Sequence, residues 1–449
     1  MKKRSNAVDA AKAPAAAAQD AIATRWYVLV VTCVVYTLSI ADRYVISTVL
    51  EPIRAELGLS DSGIAFLTGV SLALFYVSFG FPIAWLTDRK SRRNIIAISL
   101  MAWSAMTIFC GLSRNYGQLL ISRIGVGVGE AGGTPAANSI LSDYFPVFQR
   151  PMALTVFSLG APIGAWLAAD LGGSIADHYG WRAVFLALGA PGVILALIVF
   201  LTVREPQRGR LDAPTTSSAP SLMTTWRFLW RQRSAVHIMA GGALTALWGW
   251  GLMWWTPAFL MRTYGLTPGE AGSILGPIHL VGGFAATVAT AWLLTRPSMR
   301  DPRRIVWLLG VGVGLGTVVS IAIYWTHSLA LATALFWIFI PTIYFYIGPG
   351  FGLIINLAAP RMRAMFCAAL LFVANVCNLV IAPQVVGWLS DWFAADHAAN
   401  AASLRDALLC LAPTGLWAAF HYVWSARTVA ADQERATGLS GACQVTSID

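Results

Sequence analysis

The chain has 449 residues, 57% of them hydrophobic and only 12% Asp, Glu, Lys or Arg, with a formal net charge of +10. That charged fraction is roughly half the soluble average, which excludes a water-soluble fold because too much apolar surface would face water. The basic excess is spread over short segments between apolar blocks instead of one patch, which excludes a nucleic-acid binder.

Twelve apolar blocks of about 20 residues or more follow in chain order, each long enough to cross a hydrocarbon core of about 30 Å. They predict an all-α integral membrane protein with helices at 26–50, 62–86, 94–112, 117–141, 151–176 and 182–203, then 236–261, 271–295, 304–326, 329–352, 364–388 and 404–425. Residues 1–25 are Ala-rich and polar with no apolar core or cleavage site, so they read as a disordered cytoplasmic tail. Residues 426–449 read as a second one. Residues 204–235 form the one long connection, a cytoplasmic linker that separates a six-helix bundle at 26–203 from another at 236–425. Its second part sets Leu222, Trp226, Leu229 and Trp230 at helical spacing beside Arg227, Arg231 and Arg233. Such a segment suits either a short helix on the inner membrane surface or an extension of the seventh helix.

With the N-terminus inside, the cytoplasmic segments hold 24 of the 31 Lys and Arg, and the outer ones hold Arg54, Arg114, Arg182, Arg262 and Arg405. This asymmetry places both termini in the cytoplasm of what reads as a bacterial inner membrane. Only Arg43 and Arg123 remain, both within helices. The cysteines, Cys33, Cys110, Cys367, Cys377, Cys410 and Cys443, show no paired spacing and read as small hydrophobes. No metal or cofactor is expected.

Helix one carries Asp42-Arg43, and helix four carries Arg123-Ile-Gly125-Val-Gly127-Val-Gly129-Glu130-Ala131-Gly132-Gly133, followed by Pro135 and Asp143. The glycines let helix backbones approach closely. Packing does not explain Arg123 or Glu130, which share a helix face about 10 Å apart. Counted from the outer helix ends, Asp42 lies roughly 12 Å deep and Glu130 roughly 20 Å deep. Carboxylates at such depth are costly when ionised, so they are proton-coupling candidates, with a purely structural ion-pair network as the alternative.

The loop after helix two reads Ala84-Trp-Leu-Thr-Asp88-Arg89-Lys90-Ser91-Arg92-Arg93. It resembles the major facilitator signature Gly-x-x-x-Asp-Arg-x-Gly-Arg-Arg with both glycines replaced. The resemblance implies a conformational latch made by Asp88, Arg89, Arg92 and Arg93 between neighbouring helices. A degenerate echo, Gly387-x-x-x-Asp391, ends helix eleven. Helix five carries Gly160-Ala-Pro162-Ile-Gly164, a reduced form of a signature of major facilitator exporters, and later Gly172-Gly173-Ser-Ile-Ala-Asp177-His-Tyr-Gly180-Trp181-Arg182.

Those runs, with Trp255-Thr-Pro257-Ala-Phe-Leu260-Met-Arg262 after helix seven, resemble the Spinster family of lipid-related transporters from helix one to helix eleven. The resemblance implies the major facilitator fold. It also implies a monomeric transporter coupled to protons through Asp42 and Glu130, with Arg43 touching substrate and a lysophospholipid or phosphorylated sphingoid base as the lipid-like solute. Arg123 is expected to assist at the anionic head. The second half offers Trp255, Tyr344, Tyr346 and Asn375 for the apolar part. Membrane lipids would be its other partners. A transporter of small organic anions or drugs is the alternative, because two buried arginines suit a carboxylate equally well. A membrane lipid enzyme is a distant one, because the six histidines are scattered and His237, His279 and His421 look isolated.

Overall fold

The computed structural model describes residues 21–71, 78–79, 82–83, 86–87, 89–146, 149–207, 222–359, 362–395 and 397–436. Among these all regular structure is helical. The helices are α1 (Ala21–Thr48), α2 (starting with Asp61–Ala65 and Phe66–Val70), α3 (Arg92–Leu112) and α4 (Tyr116–Glu130 and Gly133–Tyr144). They continue as α5 (Met152–Tyr179), α6 (Trp181–Thr202), α7 (Arg233–Tyr264), α8 (Pro268–Leu294), α9 (Pro302–Trp325), α10 (Leu329–Asn356), α11 (Met365–Ala394) and α12 (Ala401–Ser425).

Ten of these are long and apolar enough to span a bilayer as unbroken described helices. The other two predicted spans are α2, part of which lies outside the described residues, and α4, which breaks after Glu130. Pro135 has no N–H to offer the carbonyl four residues back, at Ala131, so the ladder fails where the two pieces of α4 meet. α5 and α6 meet at Gly180, whose φ of 79° lies in the left-handed region. A short helix, Leu50–Leu57, joins α1 to α2. The helix Leu222–Arg231 is separate from α7, because Gln232 between them is extended.

Close approach of α3 and α4 depends on glycine. A Cβ at Gly129 would stand 2.7 Å from the Trp103 backbone nitrogen. The two six-helix halves meet through α1 with α7, α2 with α11, and α5 with α8. Five of these helices, all but α1, contain a wide π turn, at Phe66–Val70, Leu167–Leu171, Ala246–Trp250, Ile278–Gly283 and Val376–Ile381.

α1 begins, α6 ends, α7 begins and α12 ends on one face of the bundle, which we call the terminal face. At the opposite face the halves are clamped together. Arg262 of α7 donates to both oxygens of Asp61 at 2.7 Å and to Glu51 at 2.7 Å. Nearby, the Ser47 hydroxyl donates to the Trp254 carbonyl, and Trp254 Nε1 donates to Thr68 at 3.2 Å.

Candidate functional site

On the terminal-face side of this clamp a cavity of about 270 Å³ lies between the halves. From α1 it is lined by Tyr36, Arg43 and Tyr44, and from the second half by Trp250, Tyr344, Tyr346, Asn375 and Asn378. Tyr44 and Trp250 meet across the halves as a tilted pair with ring centroids 5.3 Å apart, and Trp250 meets Tyr344 edge-on at 5.3 Å. These rings floor the cavity. A side cleft continues from it between α5, α8 and α10, sharing Tyr36, Ala161, Tyr344 and Ile347 with the main chamber.

Among the described residues Arg43 is the one arginine in the cavity wall. Its Nη2 donates to Glu130 Oε2 at 2.7 Å and its Nε to the same oxygen at 3.3 Å, joining α1 to α4. The Glu130 side chain is fully buried, and 13% of the Arg43 side chain remains exposed toward the cavity. Asp42, on the adjacent face of α1, points away from the cavity. Its Oδ2 accepts from the Thr107 hydroxyl of α3, and its Oδ1 has no hydrogen-bond partner among the described residues. The same Thr107 oxygen lies 3.0 Å from the Trp103 carbonyl.

Arg123, fully buried, does not reach the cavity. Among the described residues none of its guanidinium nitrogens has a hydrogen-bond partner, and it acts electrostatically on Asp42, as do Glu130 and Arg43. The four charges anticipated from the sequence therefore come together in the first half. Only Arg43 faces a space that a solute can enter.

The second-half residues divide. Tyr344, Tyr346 and Asn375 line the cavity as the sequence suggested. Trp255 does not: it is completely buried between α7 and α11, with Nε1 donating to the Pro383 carbonyl at 3.2 Å. Trp250, five residues earlier and on another face of α7, occupies the wall instead. The histidines are not isolated. His237 and His421 lie Nδ1 to Nδ1 at 2.9 Å, and His279 Nδ1 lies 3.0 Å from the Tyr344 hydroxyl, holding that ring at the cavity edge. The members of these pairs are 184 and 65 residues apart, so no local spacing exposes them.

Of the predicted latch, Asp88 lies outside the described residues. Arg92 is buried and pairs with Asp143 of α4 and, at 2.8 Å, with Glu205 at the start of the linker. It also donates to the Ser139 and Pro206 carbonyls. The backbone N–H of Arg93 donates to Glu205 at 2.8 Å, and its guanidinium covers the Phe200 ring at 5.2 Å. Burial alone would raise the Glu205 carboxyl, but the Arg93 N–H, the Arg92 guanidinium and the Ser91 hydroxyl outweigh it and hold its pKa below the usual range. Glu205 was missed by the sequence reading. Arg89 lies exposed in the same loop, which through Arg92 and Arg93 ties α3, α4 and α6 together.

The model of the Major Facilitator Superfamily matches residues 32–382. The chain belongs to the major facilitator superfamily. An MFS-type efflux pump of Mycolicibacterium smegmatis is 32% identical over 90% of this chain and 93% of its own. A probable L-galactonate transporter of Escherichia coli is 25% identical over 78% of this chain and 80% of its own. A bacterial homolog of the human lysosomal transporter Spinster, solved in an inward-facing and unoccupied conformation, superposes with a TM-score of 0.81 at 30% identity, covering 91% of this chain and 98% of that one. This major facilitator protein is therefore a multi-pass membrane transporter of a small molecule, Spinster-like in sequence and fold, and not an enzyme.

Proposed function

We propose that this major facilitator protein moves an amphipathic, anionic lipid-like solute by alternating access, coupled to protons through Asp42 and Glu130. The observation that carries the reading is the Arg43–Glu130 pair in the wall of an otherwise aromatic cavity, with a second acid directly behind it. A solute phosphate or carboxylate binding Arg43 competes with Glu130 for the same guanidinium, and a displaced buried carboxylate is stabilised by taking a proton. Thr107 supports a proton at Asp42. Its single hydroxyl hydrogen faces two acceptors, the Trp103 carbonyl and Asp42, and a protonated Asp42 donating to Thr107 satisfies both. The side cleft between α5, α8 and α10 offers room for an acyl chain. Arg123 serves as the fixed counter-charge for Asp42, not as a substrate ligand.

The positive-inside asymmetry supports a cytoplasmic terminal face, so the clamped opposite face makes this an inward-facing state. In that orientation Leu222–Arg231, with Trp226 and Trp230 exposed, lies on the inner membrane surface as part of the 204–235 linker. The Arg89 to Arg93 loop acts there as the latch.

A second reading, transport of small organic anions or drugs, is favoured by the modest cavity volume and by the likeness to the galactonate transporter and the efflux pump. Purified protein reconstituted in vesicles with a pH gradient tests both. Glu130→Gln is expected to abolish proton-driven movement while leaving solute exchange measurable, and undiminished coupling would sink the role. Competition by long-chain but not short-chain anions supports the lipid reading, and the reverse supports the other.

A further inference from the structure

The Gly387-x-x-x-Asp391 echo lies at the opposite face from the loop it resembles, and its counterpart is another segment. At the end of α5, Gly173-Ser-Ile-Ala-Asp177 has the same spacing. Each docks on the first turn of a helix in the other half. A Cβ at Gly387 would stand 2.7 Å from the carbonyl oxygen of Asp61, which opens α2, and one at Gly173 would stand closer still to the carbonyl of Pro268, which opens α8. Four residues on, the aspartates complete the contact. Asp391 accepts from the backbone N–H of Asp61 at 2.9 Å and of Ser62 at 2.8 Å. Asp177 accepts from the Gly269 N–H at 3.0 Å and the Thr267 hydroxyl at 2.6 Å.

The first three donors of both helices are thereby accounted for. In α2 the third, Gly63 N–H, bonds the local cap Ser60, and the first two bond Asp391. In α8 the first position is Pro268, which has no N–H. The second bonds Asp177, and the third, Glu270 N–H, bonds the local cap Thr267. Local caps thus serve only the third position in each helix. The remaining orphan donors, and the positive end of each helix dipole, are met by a carboxylate from the other half.

We propose that Asp177 and Asp391, each seated by its glycine, are paired gate residues that cap α8 and α2 only while the opposite face is closed. Separation of the halves at that face uncaps both helices at once, so the two contacts set the balance between the closed and open gate. They do so independently of substrate and of proton coupling.

The test uses full-length protein in nanodiscs with Thr48→Cys as reporter, the other cysteines except Cys110 replaced. Thr48 is buried beneath the gate beside Ala165 and Ala168, and Cys110 is buried within the first half alone. Asp177→Ala and Asp391→Ala should each raise maleimide labelling of the reporter roughly fivefold, the size of a typical lost helix cap, and together about 25-fold. Gly387→Ala, which keeps both carboxylates, should act in the same direction, and Asp406→Asn, exposed at that face, should do nothing. Unchanged reporter labelling in the two aspartate-to-alanine variants overturns the proposal. So does a rise at Cys110 equal to that at the reporter in all three gate variants, because that reports general loosening and not gate opening.

Discussion

Replacing Arg262 with Met keeps the length of the side chain and removes the charge that holds Asp61. In the closed gate Asp61 is fully buried, with both oxygens 2.7 Å from the Arg262 guanidinium. Removing one partner of a buried ion pair costs about 3–5 kcal/mol. Asp61 keeps the Ser390 hydroxyl at 2.6 Å and Arg54 at 3.7 Å, so the lower end, about 3 kcal/mol, applies. Opening rehydrates Asp61 and relieves that cost, so the closed-to-open balance should move by roughly two orders of magnitude. Hydrogen exchange of the segments around 61–66 and 265–270, followed by mass spectrometry, reads the change, because each contains amides bound across the halves, Asp61 and Ser62 N–H to Asp391 and Gly269 N–H to Asp177. Exchange should accelerate in both segments, with Arg262→Lys intermediate because it loses the two-pronged contact. Wild-type exchange in Arg262→Met, in protein that binds solute normally, would refute the assignment of Arg262 to the gate.

Two further outcomes follow from residues at the cavity and at the terminal face. Trp250→Ala should weaken solute affinity as well as lower stability, whereas Trp255→Ala should lower stability by about 3–5 kcal/mol and leave solute selectivity intact; ligand titration and thermal melts separate the two. Glu205 has a depressed carboxyl pKa, so its stabilisation is fully present above the ordinary glutamate range and is lost as pH falls through its folded value. Melts across the acidic range should show this decline in the wild type and a smaller one in Glu205→Gln.

The number and order of the helices were legible because block length is a direct consequence of bilayer thickness. So was the gathering of Asp42, Arg43, Arg123 and Glu130 in the first half, since a charge in an apolar block has few tolerable surroundings, but not that Asp42 turns away from the cavity toward Thr107. Trp250 and Trp255 were not separable. Both are tryptophans in one apolar helix, and the π turn at Ala246–Trp250 shifts the helical phase that would have told their faces apart. Arg123 illustrates a different limit: its depth could be counted, but whether it faced the cavity or the helix behind depended on how α3 and α4 pack. Glu205 sat unnoticed in a polar segment because its partner, Arg92, is 113 residues away. Gly387-x-x-x-Asp391 was matched to the wrong loop, since four fixed letters do not say which helix start they cover.

The five wide turns have a consequence for how this chain tolerates insertion and deletion. Each holds one residue more than an ordinary helical turn, and all five lie in helices that cross the seam between the halves. Removing one residue from such a turn lets it relax to regular helix, leaving the helix on each side intact. Removing one from α3 or α9, where no wide turn exists, swings every later side chain by about 100° onto a new face. Length variation among relatives should therefore gather at the seam, where a single inserted residue re-aims a cavity wall without disturbing the scaffold behind it.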